Sequence, residues 1–153
     1  MPADTLASLL ASATARLKAA GFGDADIKLF NGPMDRPQDG GLVATLAGKD
    51  AKSKAILLLA HIDVVEARRA DWVRDPFTLI EEGGYFYARG AADDKSGVVV
   101  HAAALRALGV PDGRPLPATV RIVVEGEEEC STEHLPALVH GHADLLRADV
   151  AVI

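Results

Sequence analysis

Three short groups of residues in this sequence combine reactive side chains with a position at the end of a predicted element. The first is His61-Ile62-Asp63, which follows the apolar run Ala55–Ala60, itself predicted to be a strand buried on both faces. Residues two apart in a strand share a face, so His61 and Asp63 would both project at its C-terminal end, where open α/β sheets usually hold functional sites. The carboxylate would fix the tautomer and orientation of a metal-binding histidine. The competing interpretation is a surface histidine beside a solvated aspartate.

The second group is the segment Arg89–Gly97, which precedes a predicted helix and reads Arg-Gly-Ala-Ala-Asp-Asp-Lys-Ser-Gly. Its two glycines and its small residues allow the backbone to turn tightly. Asp93 or Asp94 would cap the helix by accepting a hydrogen bond from a free backbone N–H. Alternatively, one of these carboxylates reaches into a site formed by neighbouring strand ends. The residues alone leave both interpretations open.

The third group, Glu125-Gly126-Glu127-Glu128-Glu129, follows an apolar run that predicts another buried strand. An acidic run is most often a solvated patch. This run, however, is expected at the same edge of the sheet as His61, where crowded carboxylates need a counter-charge such as a divalent metal. One histidine and two acidic groups from separate segments are typical ligands of such a metal, with zinc favoured. Two metals that share one carboxylate would lie about 3.5–4 Å apart.

The elements that must position these groups alternate between strands and helices. Apolar residues at helical spacing predict a first helix from Leu6 to Leu17. The alternation predicts an α/β fold, layered α/β/α, with a mixed, mainly parallel sheet that contains a hairpin. The other predicted elements are strands 27–30, 42–46, 55–60, 118–124 and 149–153, hairpin strands 78–82 and 85–88, and helices 98–108 and 132–146.

Composition limits the classes of function. The chain has 153 residues, 49% of them hydrophobic, which suits one domain with one core. Lys and Arg number 16 against 22 Asp and Glu, and the resulting net charge of −6 argues against a nucleic-acid partner. No run of 18 apolar residues is present, so we expect no membrane-spanning helix. The single cysteine, Cys130, excludes an internal disulfide within one chain and is interpreted as a packed or bystander thiol.

Four segments, Ala60–Val65, Asp71–Phe77, Tyr87–Lys95 and Glu125–Glu129, follow one another along the chain. In this order and at these gaps they resemble the co-catalytic zinc peptidases and deacylases. That family includes carnosinases, glutamate carboxypeptidase, acetylornithine deacetylase and succinyl-diaminopimelate desuccinylase. Each segment alone is weak evidence for this family, but the four in this order are strong evidence for it. The resemblance extends from about position 57 to position 153 and implies a truncated zinc-exopeptidase-like catalytic domain.

The resemblance implies a role for each matching side chain. His61 would bind one zinc ion, Glu129 would bind a second, and Asp93 would bridge the two, with cobalt or manganese as alternative metals. Asp63 and Glu128 would be the catalytic side chains: Asp63 orients His61, and Glu128 is the general base that activates a water. The family also implies a cis peptide bond after Asp93. The expected reaction is hydrolysis of an amide bond in a dipeptide, a peptide C-terminus or an N-acyl amino acid.

The same resemblance implies that more protein is needed for a complete enzyme. A further acidic ligand is expected just beyond Ile153 and a histidine far downstream, together with a lid domain that supplies dimer contacts. Residues 1–153 are therefore expected to be the N-terminal portion of a metallopeptidase catalytic domain without its lid. A full-length member is expected to be a homodimer, and this chain alone is expected to be inactive. Where the family often has a Gly-Ser pair, this sequence has Cys130 and Ser131.

Two other functions compete with this hypothesis. One is a non-catalytic truncated remnant or interaction module that keeps the sheet without a working site. The other is a magnesium-dependent phosphate-ester hydrolase, because clustered acids also suit magnesium; His61 and the four segments argue against it. The compartment stays open: cytoplasmic if Met1 is the natural start, and secreted or periplasmic if an N-terminal segment is missing.

Overall fold

The computed structural model of this protein describes residues 3–32, 40–50, 52–129, 133 and 135–153. These ranges contain four α-helices, three short 3-10 helices and seven strands. None of the helices in this part of the chain is long and apolar enough to cross a membrane. The helices are α1 (Ala3–Ala19), α2 (Lys95–Ala107), α3 (Leu135–Gly141) and α4 (Ala143–Leu146), and the strands are β1 (Ile27–Phe30), β2 (Gly41–Leu46), β3 (Ile56–His61), β4 (Ile80–Glu82), β5 (Tyr85–Tyr87), β6 (Val120–Glu125) and β7 (Val150–Val152).

Five strands form one mixed sheet in the order β1-β2-β6-β3-β7. The pairs β1–β2 and β2–β6 are antiparallel, whereas β3 pairs in parallel with β6 on one side and with β7 on the other. The predicted α/β class with a mixed sheet is confirmed. Its parallel pairings lie in the half of the sheet around β3, which is also the half that carries the predicted site.

Helices cover both faces of this sheet. On one face, α1 and α2 pack against each other and against the strands β2 and β3. The core on that face includes Leu17 of α1, Leu105 of α2 and Ile122 of β6. On the other face, α4 packs on β2 and β6, and its Leu145 lines the same cavity as Val43 of β2. The helices therefore form the two outer layers that the sequence predicts.

The carboxyl ends of β3 and β6 form the edge at which the three reactive groups meet. The parallel register pairs His61 with Glu125, which are the last residues of their strands. Helix α2 packs on β3 and begins directly after Asp93 and Asp94. The segment before α2 is thereby brought to the same edge as the two strand ends.

The predicted hairpin forms, but it is not part of the main sheet. Strands β4 and β5 make a separate two-stranded sheet. Gly83 and Gly84 between them have φ values of +61° and +82°, as a type I′ turn requires. All three side chains of β5 are exposed, so this hairpin lies on the surface and does not extend the buried sheet.

Two further sequence predictions need correction. The helix predicted over 132–146 is divided into α3 and α4, since α3 ends at Gly141 and His142 has φ −132° and ψ 31°, outside the helical region. The start of that predicted helix, Thr132, lies outside the described residues. Strand β3 is only half-buried from Ile56 to Leu59, because α4 lies over β2 and β6.

Candidate metal centre

Three side chains from separate segments converge at this edge of the sheet. His61 ends β3, Asp93 lies in the turn before α2, and Glu129 lies in the turn after β6. The Nε2 atom of His61 lies 3.0 Å from Oδ1 of Asp93. One ligand-type atom from each of the three residues lies within 4.8 Å of the others. A ring nitrogen and two carboxylates at this spacing fit a divalent cation, so the three residues predicted as metal ligands lie together.

Asp63 is buried next to this cluster and contacts two of its members. Its side chain is only 1% exposed, and its Oδ1 lies 3.3 Å from Nδ1 of His61. Its Oδ2 accepts a hydrogen bond of 2.8 Å from the backbone N–H of Glu129. Asp63 thus faces the ring nitrogen of His61 that points away from Asp93. Its contact with the backbone of Glu129 is a feature that the sequence did not indicate.

The two neighbouring aspartates before α2 have different contacts. Asp94 is the N-cap of α2, because its Oδ1 accepts a hydrogen bond of 3.2 Å from the N–H of Gly97. Its Oδ2 accepts a second one, also of 3.2 Å, from the backbone N–H of His61. A Cβ at position 97 would lie 2.6 Å from Asp94 Oδ1, so glycine makes room for the cap. Asp94 therefore caps the helix while Asp93 faces His61, and the peptide bond between them is cis.

The acidic run after β6 is not simply a solvated patch. Glu125 and Glu127 are 3% and 1% exposed. The Oε2 atom of Glu125 accepts a 2.6 Å hydrogen bond from the N–H of Glu127. Glu127 in turn accepts one of 2.7 Å from the N–H of Leu135, the first residue of α3. Sequence reasoning missed these two contacts; the one available signal was that Glu125 ends a strand opposite His61.

Glu128, predicted as the general base, lies at the solvent-exposed side of the cluster. Its side chain is 56% exposed, and its Oε2 lies 3.9 Å from Nε2 of His61. It is therefore close to the three candidate ligands while still accessible to water. Cys130, which follows this turn, lies outside the described residues.

The electrostatics of the cluster favour a positive charge at its centre. Burial alone lowers the pKa of His61. The hydrogen bond to Asp93 and the nearby negative charges raise this pKa, and together they outweigh the effect of burial. Those charges belong to Asp63, Glu128 and Asp93, and the net result is a pKa raised above 6.5. Burial also raises the pKa of Glu125 to about 7, against the opposing effect of its backbone hydrogen bond. A divalent cation would relieve the same repulsion among the carboxylates.

Comparisons with known proteins identify the family and the fold of this chain. The model of the peptidase family M20/M25/M40 matches residues 57–153. The cysteinylglycine-S-conjugate dipeptidase of Corynebacterium striatum is 42% identical over 100 residues, which are 64% of this chain and 22% of that protein. The structure of human carnosine dipeptidase 1 superposes with a TM-score of 0.77 and 28% identity, covering 97% of this chain and 32% of that one. The structure of an M20 family metallo-carboxypeptidase from Sulfolobus solfataricus superposes with a TM-score of 0.75 and 26% identity. The match covers 97% of this chain and 31% of that one.

These matches cover between 64% and 97% of this chain but only between 22% and 32% of each relative. The chain spans about a fifth to a third of the length of these relatives. The family match begins within β3 and includes each of the five predicted site residues.

Proposed function

Because this chain belongs to the peptidase family M20/M25/M40, we propose that it carries part of the active site of a metal-dependent amide hydrolase. The proposed substrates are dipeptides, peptide C-termini or N-acyl amino acids. One observation carries the proposal: His61, Asp93 and Glu129 bring their ligand atoms within 4.8 Å of one another. The relatives that are named as dipeptidases and as a carboxypeptidase support the choice of an amide bond.

The proposed metal is zinc, with two ions in the complete site. Nε2 of His61 would bind one ion, Glu129 would bind the other, and the carboxylate of Asp93 would bridge them. When bound, the metal supplies Lewis acidity, which lowers the pKa of a water towards about 7 and polarises a carbonyl group. Asp63 would hold the imidazole so that its proton stays on Nδ1 and the lone pair of Nε2 stays free.

Glu128 is proposed to move the proton during the reaction. Its carboxylate is near His61 but more than half exposed, so a water can reach it. In this proposal Glu128 takes one proton from the attacking water and later delivers it to the leaving nitrogen as the C–N bond breaks. Glu125 and Glu127 cannot share this task, since both carboxylates are buried and accept backbone hydrogen bonds.

We also propose that residues 1–153 are the N-terminal portion of a longer catalytic domain whose complete form is a homodimer. The greater length of the relatives supports the longer catalytic domain. Three candidate ligands leave each of two ions with only two protein ligands, whereas zinc sites normally use three or four. We therefore expect the 153-residue chain to bind zinc weakly and to hydrolyse no peptide at a useful rate.

The experiment is a zinc titration of the chain and its Asp93→Asn variant, in competition with a chromophoric chelator. The matched control is Asp112→Asn, an exposed aspartate beyond the far end of α2. Removal of a residue that only supports a metal ligand typically lowers metal affinity by about tenfold or more. Since Asp93 is a proposed ligand, we expect Asp93→Asn to lower the zinc affinity by more than about tenfold. The control should bind like the original chain. Equal binding by Asp93→Asn would remove Asp93 from the site, and no zinc binding by the original chain would show that these residues do not hold zinc in the 153-residue chain.

A further inference from the structure

We propose that Glu125 is a positioning residue whose buried carboxylate holds the turn that presents Glu128 and Glu129 to the metal centre. This inference rests on the proposed function for its purpose, but the contact itself does not depend on a metal. Glu125 is not one of the three described residues whose ligand atoms lie within 4.8 Å of one another. It acts through the backbone of the residues that follow it.

Glu125 is anchored to β3 by its main chain and to the turn by its side chain. Its backbone carbonyl accepts a 2.8 Å hydrogen bond from the N–H of Ile62, next to His61. Its carboxylate Oε2 accepts the 2.6 Å hydrogen bond from the N–H of Glu127. The residue therefore joins the strand end that carries His61 to the first part of the turn at residues 126–129, called the acidic turn below.

The acidic turn is held at alternate amides by two buried carboxylates. Glu125 accepts from the N–H of Glu127, and Asp63 accepts from the N–H of Glu129. Glu128 lies between these two anchored amides. Fixing both amides limits the backbone rotations that would swing the side chains of Glu128 and Glu129 away from His61.

Packing alone would not require a polar acceptor at this position. The three residues before Glu125 in β6 are Ile122, Val123 and Val124, and all three are buried apolar side chains. Burying a carboxyl group costs free energy unless its hydrogen bonds are made, and in Glu125 that cost raises its pKa to about 7. An unfavourably buried group beside a reactive cluster is typical of a residue retained for its effect on that cluster.

The test compares Glu125→Ala and Glu125→Gln in the 153-residue chain. Alanine removes the acceptor, whereas the side-chain carbonyl of glutamine can still accept from the N–H of Glu127. Glu81→Ala, on the exposed hairpin strand β4, removes the same charge away from the site and is the matched control. Glu125→Asp, which is shorter by one methylene, provides a second variant if alanine prevents folding.

Two measurements separate this proposal from the proposed function. The first is amide hydrogen exchange by NMR in the metal-free chain, which reads the turn directly. We expect the Glu127 amide to exchange at least about tenfold faster in Glu125→Ala, because one hydrogen bond of about 1.4 kcal/mol is lost. In Glu125→Gln the amide should exchange at close to the original rate. Glu125→Asp should fall between them, and Glu81→Ala should not differ from the original chain.

The second measurement is cobalt binding, followed by the visible absorption of the bound ion. We expect Glu125→Ala to change the spectrum and weaken the affinity, and Glu125→Gln to restore both. Unchanged exchange at Glu127 in Glu125→Ala and Glu125→Asp would overturn the proposal, as would a glutamine variant that behaves like alanine. If the original chain binds no cobalt while the exchange result holds, the proposed function fails and the positioning contact stands.

Discussion

Replacing Asp63 with asparagine should weaken metal binding without unfolding the protein. In the original chain the carboxylate offers an acceptor on each side: Oδ2 to the N–H of Glu129, and Oδ1 to Nδ1 of His61. With a metal on Nε2, the ring proton of His61 lies on Nδ1, where Oδ1 of Asp63 faces it; without a metal, Nε2 faces Oδ1 of Asp93 at 3.0 Å. Asparagine keeps one acceptor oxygen and replaces the other with an NH2 donor.

Either orientation of the new amide loses one of the two contacts. If its oxygen faces Glu129, its NH2 group faces Nδ1 and stabilises the tautomer with the proton on Nε2, the atom expected to bind metal. If it is reversed, the backbone N–H of Glu129 has no acceptor, which costs about 1–3 kcal/mol for a buried donor. Loss of a partner that orients a ligand weakens metal affinity by about 10–100-fold, and we expect the zinc affinity of Asp63→Asn to fall by that amount.

The assay is the same chelator competition, with Asp112→Asn as the control for loss of one exposed carboxylate. Circular dichroism checks that the variant is folded. Nitrogen-15 shifts of the histidine rings in the zinc-loaded chain report whether Nδ1 of His61 carries the proton. An Asp63→Asn chain with the original zinc affinity would refute the reasoning.

Two predictions concern pH. Because a proton on Nε2 of His61 competes with metal and its pKa is raised above 6.5, zinc affinity should fall by up to about tenfold per pH unit below that pKa and level off above it. If the chelator titration gives the same zinc affinity at every pH in this range, a proton on His61 does not compete with the metal. The pKa of Glu125 is raised from 4.5 to about 7, so the folded chain binds more protons than the unfolded chain between these values. The free energy of unfolding of the metal-free chain should therefore fall as pH rises through this window, by about 3 kcal/mol for this group. Urea unfolding should show this slope in the original chain and lose it in Glu125→Gln.

The location of the site could be predicted from the sequence because it depends on topology. An apolar run that ends in His61 and another that ends in Glu125 predict parallel strands whose carboxyl ends share one edge, and the structure pairs these two residues. The helix that begins after Asp93 and Asp94 adds the third segment. None of these inferences needs the exact position of a side chain.

The different contacts of the individual acidic side chains could not be predicted in the same way. Which aspartate caps α2 depends on the direction of each carboxylate, and the residue type cannot decide because both positions hold aspartate. The burial of Glu125 and Glu127 depends on backbone N–H groups in a turn, which the sequence does not display. The placement of the hairpin outside the main sheet likewise depends on tertiary packing, since its alternation and its two glycines suit either arrangement.

The double contact of Asp94 links the melting of α2 to the integrity of the strand end. One oxygen accepts from the N–H of Gly97 in the first helical turn, and the other accepts from the backbone N–H of His61. Fraying of the first helical turn would break the contact to His61, so the opening of the helix is coupled to the strand end. A ligand that anchors His61 would thereby slow the opening of a helix that it never touches.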